Sequence, residues 1–205
     1  VLKNNKGTED NRVRKLDYSI QLSKLFYERF IKDEDITLFS PHEVPELYEA
    51  WGTDKFDELY EKAERKTSVW KTKVGAQELF FDILKERAET GRIYIMNIDH
   101  SNDHSSFKDR IYMSNLCQEI TLPTDPIQHI DGEGEIALCI LSAINVGKID
   151  KRDELEPLCD LAVRALDEII DHQKYPIVAA EVSTKARRSL GIGYIGLAHY
   201  LAKKG

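Results

Sequence analysis

The chain has 205 residues, 41% of them hydrophobic and 32% charged, with a formal net charge of −7 at pH 7. This apolar content is enough for one sizeable core or two. The acidic balance and the lack of a Lys/Arg stripe argue against a nucleic-acid partner, and no apolar run approaches the roughly 18 residues that cross a bilayer. Nothing resembles a signal peptide, and three cysteines without a paired framework suit a reducing compartment, so we expect a cytoplasmic protein.

The first half of the chain carries mainly helical patterns. Apolar residues recur at helical spacing from Asn11 to about Lys32, which predicts one long helix. Further patterns predict a strand over 35–39, a brief helix from Pro41 towards Trp51, and helices over 54–66 and 73–90. A glycine then precedes a nearly all-apolar strand at 92–98. The order helix, glycine, buried strand is typical of an α/β domain with a parallel sheet.

The second half is predicted to contain one more strand between helical segments. We expect loops over 99–110 and 111–123, a buried strand over 135–145 that carries Cys139, and helices over 153–172 and 184–204. Cys159 falls on the apolar side of the first of these helices, so we interpret it as a core residue. Residues 191–196 read G-x-G-x-x-G, but the preceding sequence is not strand-like and the chain has too few residues beyond it for a dinucleotide fingerprint. We interpret these glycines as close helix packing.

His100 and His104 stand four residues apart and raise the question of a metal site. That spacing brings two rings together only on a helix, and the serines and Asn102 around them disfavour a helix. We therefore expect solvated or hydrogen-bonded histidines and no metal site.

A possible reactive group lies in the segment Ser114–Ile120, which Pro123 and β-branched residues favour as extended or looping. In an extended chain Asn115, Cys117 and Glu119 point to the same side, presenting a thiol between an amide and a carboxylate. The alternative is that Cys117 is a small buried hydrophobe, which is the commoner role of a cysteine in apolar surroundings.

The motifs extend beyond this segment. Asn115-Leu-Cys117-x-Glu119-Ile, followed by Gly134-Glu-Ile-Ala-Leu-Cys139 and Leu141-Ser-Ala-Ile-Asn145, resembles the catalytic loop and next strand of the large (α) subunit of class I ribonucleotide reductase. Further segments resemble the same family in the same order along the chain, at 1–5, 11–14, 38–45, 90–97 and 187–193. The resemblance covers nearly all of the chain but only the middle of the family's longer subunit. The start at Val1 and the end at Gly205 agree with a fragment, an excised segment or one piece of a split subunit.

This resemblance implies a fold and a set of roles. It implies that residues 1–205 are part of a single catalytic domain, a ten-stranded α/β barrel: 1–90 mainly helical, 91–145 strand, catalytic loop and strand, and 146–205 helical. It implies that Cys117 forms a thiyl radical, Glu119 takes the 3′-hydroxyl proton and Asn115 orients the sugar. Cys139 matches one of two cysteines that end as a disulfide, and its partner would lie outside this chain. Tyr94 and Tyr112 match no radical-relay position, and we assign them to packing.

The resemblance also implies the partners. The substrate would be a ribonucleoside diphosphate, with the radical supplied by a metal-containing small (β) subunit and reducing equivalents by thioredoxin or glutaredoxin. ATP and dNTP effectors would bind outside this segment, and the intact subunit would be a homodimer. The chain itself would hold no cofactor, contact neither membrane nor nucleic acid, and be inactive without the remaining parts of the large subunit.

Two other functions are compatible with the sequence. A split-subunit complementation module would have no activity of its own until it docks with flanking pieces. A Cys-His hydrolase would pair Cys117 with His100, His104 or His129 and would require an activated thiol.

Overall fold

The computed structural model describes residues 16–129, 132 and 134–205. Its strands and α-helices, in chain order, are β1 (Tyr18–Leu22), α1 (Lys24–Lys32), β2 (Asp35–Phe39), α2 (Pro45–Ala50), α3 (Phe56–Arg65), β3 (Lys71–Gly75), α4 (Ala76–Thr90), β4 (Ile93–Asn97), α5 (Ile98–Asp103), β5 (Ile140–Asn145), α6 (Leu155–His172), α7 (Val178–Arg187), β6 (Leu190–Ile195) and α8 (Leu197–Lys204). The mixture of helices and strands confirms the α/β class. The described residues up to Pro123 form one compact unit and those from Thr124 a second, while a single catalytic domain stays a prediction.

The first unit contains two strand pairs. β1 and β4 are parallel, with Tyr18 opposite Ile93, and β2 and β3 are antiparallel, with Asp35 opposite Gly75. Helices α1 and α4 pack together beside these pairs. The parallel pair agrees with the sheet type predicted from the helix–glycine–strand order.

The long helix predicted over 11–32 is wrong for residues 18–22. Residues 11–15 lie outside the described residues, and the helix begins only after Ser23, whose hydroxyl accepts a hydrogen bond from the Phe26 N–H at 3.3 Å. The preceding residues are a strand because pairing with β4 satisfies their backbone groups. A partner so distant in sequence leaves no local pattern.

The helix predicted over 73–90 begins late for the same reason. Residues 71–75 pair with β2, and α4 starts at Ala76. Its end is confirmed at Gly91, which has the left-handed conformation (φ 67°) and donates its N–H to the Arg87 carbonyl. The brief helix α2 begins at Pro45 rather than at Pro41.

The second unit is built on a parallel pair, β5 and β6, with Ile140 opposite Leu190. Helix α6 packs on this pair through Leu166 and Ile170, which form a core with Ile140. The α6 prediction is confirmed, whereas β5 is shorter than the predicted 135–145 strand.

The helix predicted over 184–204 is confirmed for residues 184–187 and 197–204 but is wrong for residues 188–196. Helix α7 ends before Arg188, which has the left-handed conformation, and β6 follows before α8 begins. Two glycines of the G-x-G-x-x-G sequence, Gly191 and Gly193, therefore lie in a strand, and the third, Gly196, directly precedes α8. A Cβ on Gly191 would stand 2.5 Å from Leu141 Cδ2. Close packing against the neighbouring strand, and not against a helix, explains this glycine.

Candidate active site

The loop that carries the predicted reactive residues is held at both ends. Ile111 and Pro123 are fully buried. The Asn102 side chain, on α5, accepts the Ile111 N–H at 2.9 Å and donates to the Ile111 carbonyl at 3.0 Å. A second bond from Asn102 Nδ2 to the Ile98 carbonyl, at 3.0 Å, ties this side chain to its own helix. The loop thus starts from a fixed point directly after β4 and α5.

The centre of the loop is a tight turn. The Gln118 N–H donates to the Asn115 carbonyl at 3.1 Å, and Gln118 has the left-handed conformation (φ 66°). Asn115 Oδ1 accepts the Ile120 N–H at 3.0 Å. Ser114 Oγ lies 2.6 Å from the Ile120 carbonyl and 3.0 Å from Asn115 Oδ1, so its single hydrogen can serve one acceptor at a time. These bonds close the loop on itself across Cys117.

Of the extended and looping conformations predicted for this segment, the structure has the looping one. Alternation of side chains requires successive residues in the β region, and the left-handed Gln118 breaks it. The turn instead confines Asn115, Cys117 and Glu119 to one short, closed loop. The sequence could not indicate this because Gln118 is not a residue type that marks a left-handed turn position.

All three predicted site residues are exposed. The alternative of a buried structural cysteine is therefore contradicted at Cys117, whose thiol is free and accessible. The loop therefore presents a thiol, an amide and a carboxylate to solvent within five residues.

The thiol of Cys117 also has a neighbour that sequence analysis assigned to packing. The Tyr94 hydroxyl, on β4, is hydrogen-bonded to Cys117, and this contact holds the pKa of the Tyr94 phenol above its ordinary value. The Arg87 guanidinium lies over the same ring, 5.9 Å from its centroid. No sequence signal joined Tyr94 to Cys117, because the two residues belong to different elements.

The histidine pair lies on a helix, contrary to prediction. His100 is in α5 and His104 directly follows it, with ring centroids 5.8 Å apart. Asn102 favours this short helix because its side chain bonds both the helix and Ile111. The two rings and Thr121 line a cavity of about 200 Å³. Within residues 16–129, 132 and 134–205, no cluster of three or more His, Cys, Asp or Glu side chains could hold a metal ion.

The other two cysteines belong to the second unit. Cys139 is half-buried directly before β5, and its sulfur lies 3.9 Å from where a Cβ on Gly191 would stand. Cys159 is exposed on α6, so the predicted core role for it is wrong. Its helix has an apolar face wider than the part that Leu166 and Ile170 bury. His129 is exposed in the same unit.

No helix in the described part of the chain combines the length and apolar character needed to cross a membrane.

Comparison with known proteins gives consistent matches. A family model described as "Ribonucleotide reductase, barrel domain" matches residues 1–205. The chain is 59% identical over 211 aligned positions to the ribonucleoside-diphosphate reductase subunit alpha of Haemophilus influenzae, and 56% identical over 211 positions to ribonucleoside-diphosphate reductase 1 subunit alpha of Escherichia coli. Identity to the subunit alpha of Enterobacteria phage T4 is 45% over 210 positions.

These alignments cover 100%, 100% and 98% of this chain but 28% of each relative, so the chain spans little more than a quarter of the length of the relatives it matches. The match over all 205 residues includes the turn around Cys117 and both parallel strand pairs. The chain therefore belongs to the ribonucleotide reductase barrel-domain family.

Proposed function

We propose that this chain supplies the catalytic-loop segment of a ribonucleoside-diphosphate reductase alpha subunit. Such a subunit would convert ribonucleoside diphosphates to 2′-deoxyribonucleoside diphosphates by a thiyl-radical mechanism. The proposal rests on one observation above all: Cys117 is an exposed thiol on a closed turn, beside Asn115 and Glu119, in a chain that matches the family over its whole length. An accessible thiol on a fixed loop meets the demand that reacting atoms be held close together.

The chemistry explains why a sulfur radical is needed. Hydroxide is a poor leaving group from an unactivated carbon, so the 2′-hydroxyl of ribose cannot simply be displaced. Removing the hydrogen atom from C3′ first creates a carbon radical next to that group, which can then leave as water once it is protonated. S–H and C–H bonds are close enough in strength for this hydrogen transfer to be reversible.

Each residue of the loop has a distinct role in the proposal. The Cys117 thiyl radical takes the C3′ hydrogen and later returns it. Glu119 accepts the 3′-hydroxyl proton as general base, which promotes loss of the 2′ group. Asn115 has its side-chain oxygen engaged by the Ile120 N–H, so its contact with the sugar would be made through the Nδ2 hydrogens.

Two electrons and two protons must come from elsewhere. We propose that Cys139 and a second cysteine outside this chain each give up a thiol hydrogen and become a disulfide. The balance is then one nucleotide and two thiols converted to one deoxynucleotide, one disulfide and water. Thioredoxin or glutaredoxin would reduce the disulfide, and a metal-containing small subunit would supply the radical to Cys117. The intact subunit would act as a cytoplasmic homodimer.

The test uses a reconstituted subunit, meaning this chain joined to the flanking segments of its Haemophilus influenzae relative. Cys117→Ser should abolish nucleotide reduction, because a hydroxyl forms no comparable radical, and should leave nucleotide binding intact. Cys159→Ser is the matched control: it alters an equally exposed cysteine on α6 and should keep full activity. Reduction that survives Cys117→Ser would reject the proposal.

A second candidate is a split-subunit complementation module, inert until it docks with flanking pieces. Exposed apolar side chains on β5 and β6, including Leu141 and Tyr194, favour such docking. Reduction restored by mixing separate pieces supports complementation of an active site, whereas tight binding without activity supports a structural role alone.

A further inference from the structure

Gln21 joins three parts of the first unit through one side chain. It is the fourth residue of β1, opposite Met96 of β4. Its Nε2 donates to the Tyr112 carbonyl at 2.9 Å, and its Oε1 accepts the indole N–H of Trp51, directly after α2, at 2.6 Å. An indole nitrogen can only donate and a carbonyl can only accept, so these two partners fix the orientation of the amide. The side chain therefore links β1 and the end of α2 to the start of the loop that carries Cys117.

The start of this loop is incompletely packed. The Tyr112 and Met113 side chains are both exposed, and both line an apolar cavity of about 520 Å³ beside Gln21. The Arg110 guanidinium lies 4.6 Å from the centroid of the Tyr112 ring and donates to the Glu49 carbonyl at 2.6 Å, which restrains the ring but not the backbone. The direction of the backbone at Tyr112 therefore depends on hydrogen bonds more than on packing.

Two successive residues at the start of the loop are held from two different elements. Asn102 of α5 binds the N–H and the carbonyl of Ile111, at 2.9 and 3.0 Å, and Gln21 of β1 binds the carbonyl of Tyr112. A single bonded residue leaves a loop free to pivot about it, whereas a second bonded residue also fixes the direction of the chain. Ser114, whose hydroxyl helps to close the turn around the thiol, stands only two residues further on.

We propose that Gln21 is a positioning residue for Cys117 in nucleotide reduction; this inference rests on the proposed function of the loop. By fixing the direction in which the chain leaves Tyr112, Gln21 sets where the turn presents the thiol. It acts through the loop backbone, so no proton or electron passes through its side chain. Such a support matters because a misplacement of about 1 Å at reacting atoms can lower a rate about 100-fold.

The kinetic test replaces Gln21 by two residues of similar length, in the reconstituted subunit with its small subunit. In Gln21→Glu the carboxylate can still accept the Trp51 N–H but cannot donate to the Tyr112 carbonyl, and Gln21→Met makes neither bond. We expect each change to lower kcat about tenfold, because the thiol is in place less often, and to change KM by less than about twofold.

Gln77→Glu is the matched control for this test. The Gln77 side chain donates to the Phe30 carbonyl at 3.1 Å, so it joins α4 to α1 by the same kind of bond that Gln21 makes to the loop. Its replacement should leave kcat unchanged. An equal loss of kcat in Gln77→Glu would overturn the positioning role. If either Gln21 variant keeps the normal kcat while Cys117→Ser is inactive, the inference fails and the proposed function stands.

Amide exchange provides a readout that does not depend on activity. In both Gln21 variants the N–H groups of Gln118 and Ile120, which close the turn, should exchange with solvent about fivefold faster. The Ile111 N–H should keep its rate, because Asn102 still holds it. Unchanged exchange at both turn amides would overturn the inference. Faster exchange throughout the first unit would overturn it as well, since it would indicate general destabilisation and not release of the loop.

Discussion

The Glu64 carboxylate shows how single side chains fix the first unit. It accepts two hydrogen bonds from the Arg29 guanidinium, at 2.7 and 2.6 Å, and one from the Thr37 hydroxyl at 2.5 Å. The Tyr60 hydroxyl bonds both backbone groups of Thr37 at 2.7 Å. These mostly buried side chains connect α1, α3 and β2. Each buried polar atom would be costly without a partner, so the hydrogen bonds hold the three elements together.

We predict that Glu64→Gln loosens the packing of α1 and α3 on β2. The change leaves the Arg29 charge largely buried without its carboxylate, which costs about 2 kcal/mol. In the reconstituted subunit, amides of β2 should therefore exchange with solvent roughly 30-fold faster. Glu61→Gln on the same helix is the control: its pairing with Arg65 is mostly exposed, and the exchange rate should stay the same. Equal effects of the two changes would contradict this account.

The same group determines a pH dependence. Burial raises the pKa of Glu64, but the hydrogen bonds from Arg29 and Thr37 outweigh it and hold the pKa below the ordinary 4.5. A carboxylate with a lowered pKa in the folded state contributes its stability above the unfolded value. We therefore expect this contribution to be complete at neutral pH and to be lost as the pH falls below about 4.5 and through the folded-state pKa.

At the level of elements, the short helix α5 anchors the start of the loop that carries Cys117. Two hydrogen bonds of the Asn102 side chain connect that helix to Ile111, where the loop begins, and a third binds the side chain to Ile98 of the helix itself. Because Ile111 is fully buried, its N–H and carbonyl have little access to water as a substitute partner.

We predict that Asn102→Ala releases the loop. Amides of residues 112–120 should exchange about tenfold faster in the reconstituted subunit, because Ile111 loses both side-chain bonds. Ser101→Ala is the control, since the Ser101 hydroxyl bonds only the Asn97 carbonyl in the adjoining turn. A loop unaffected by Asn102→Ala would show that burial of Ile111 and Pro123 alone holds its ends.

At the level of the whole chain, the described strands form three separate two-stranded sheets. Two-stranded sheets are marginal by themselves, and their unpaired edges can accept further strands. The exposed apolar residues of β5 and β6 would likewise be buried by further segments that pack against them. A chain that spans 28% of its relatives would obtain both from the remaining segments.

We therefore predict that this chain and the flanking segments, prepared as separate polypeptides, associate when mixed. Amides of β5 and β6 should become protected from exchange, and reduction should appear only in the mixture with the small subunit. Protection without activity would favour a structural module. If the mixture showed neither protection nor activity, completion of these sheets by the missing segments would be contradicted.

The sequence by itself determined the family and the elements whose cause is local, while Asn115, Cys117 and Glu119 stay a prediction for the site. Helices α3 and α6 follow from their apolar spacing, and α4 ends at Gly91 because glycine accepts a left-handed conformation at little cost. Strands β2 and β4 follow from short β-forming runs. Each of these signals lies within a few residues of the feature it predicts.

Only the tertiary structure decided the rest. Strands β1 and β6 and residues 73–75 of β3 were predicted as helix, because their hydrogen-bond partners lie in distant parts of the chain, as with Tyr18 and Ile93. The turn at Cys117 depends on bonds from Asn115 and Ser114 across the loop, and the Tyr94 contact depends on where β4 stands. Local patterns record which residues prefer a helix or a strand, whereas contacts between distant residues exist only once the chain has folded.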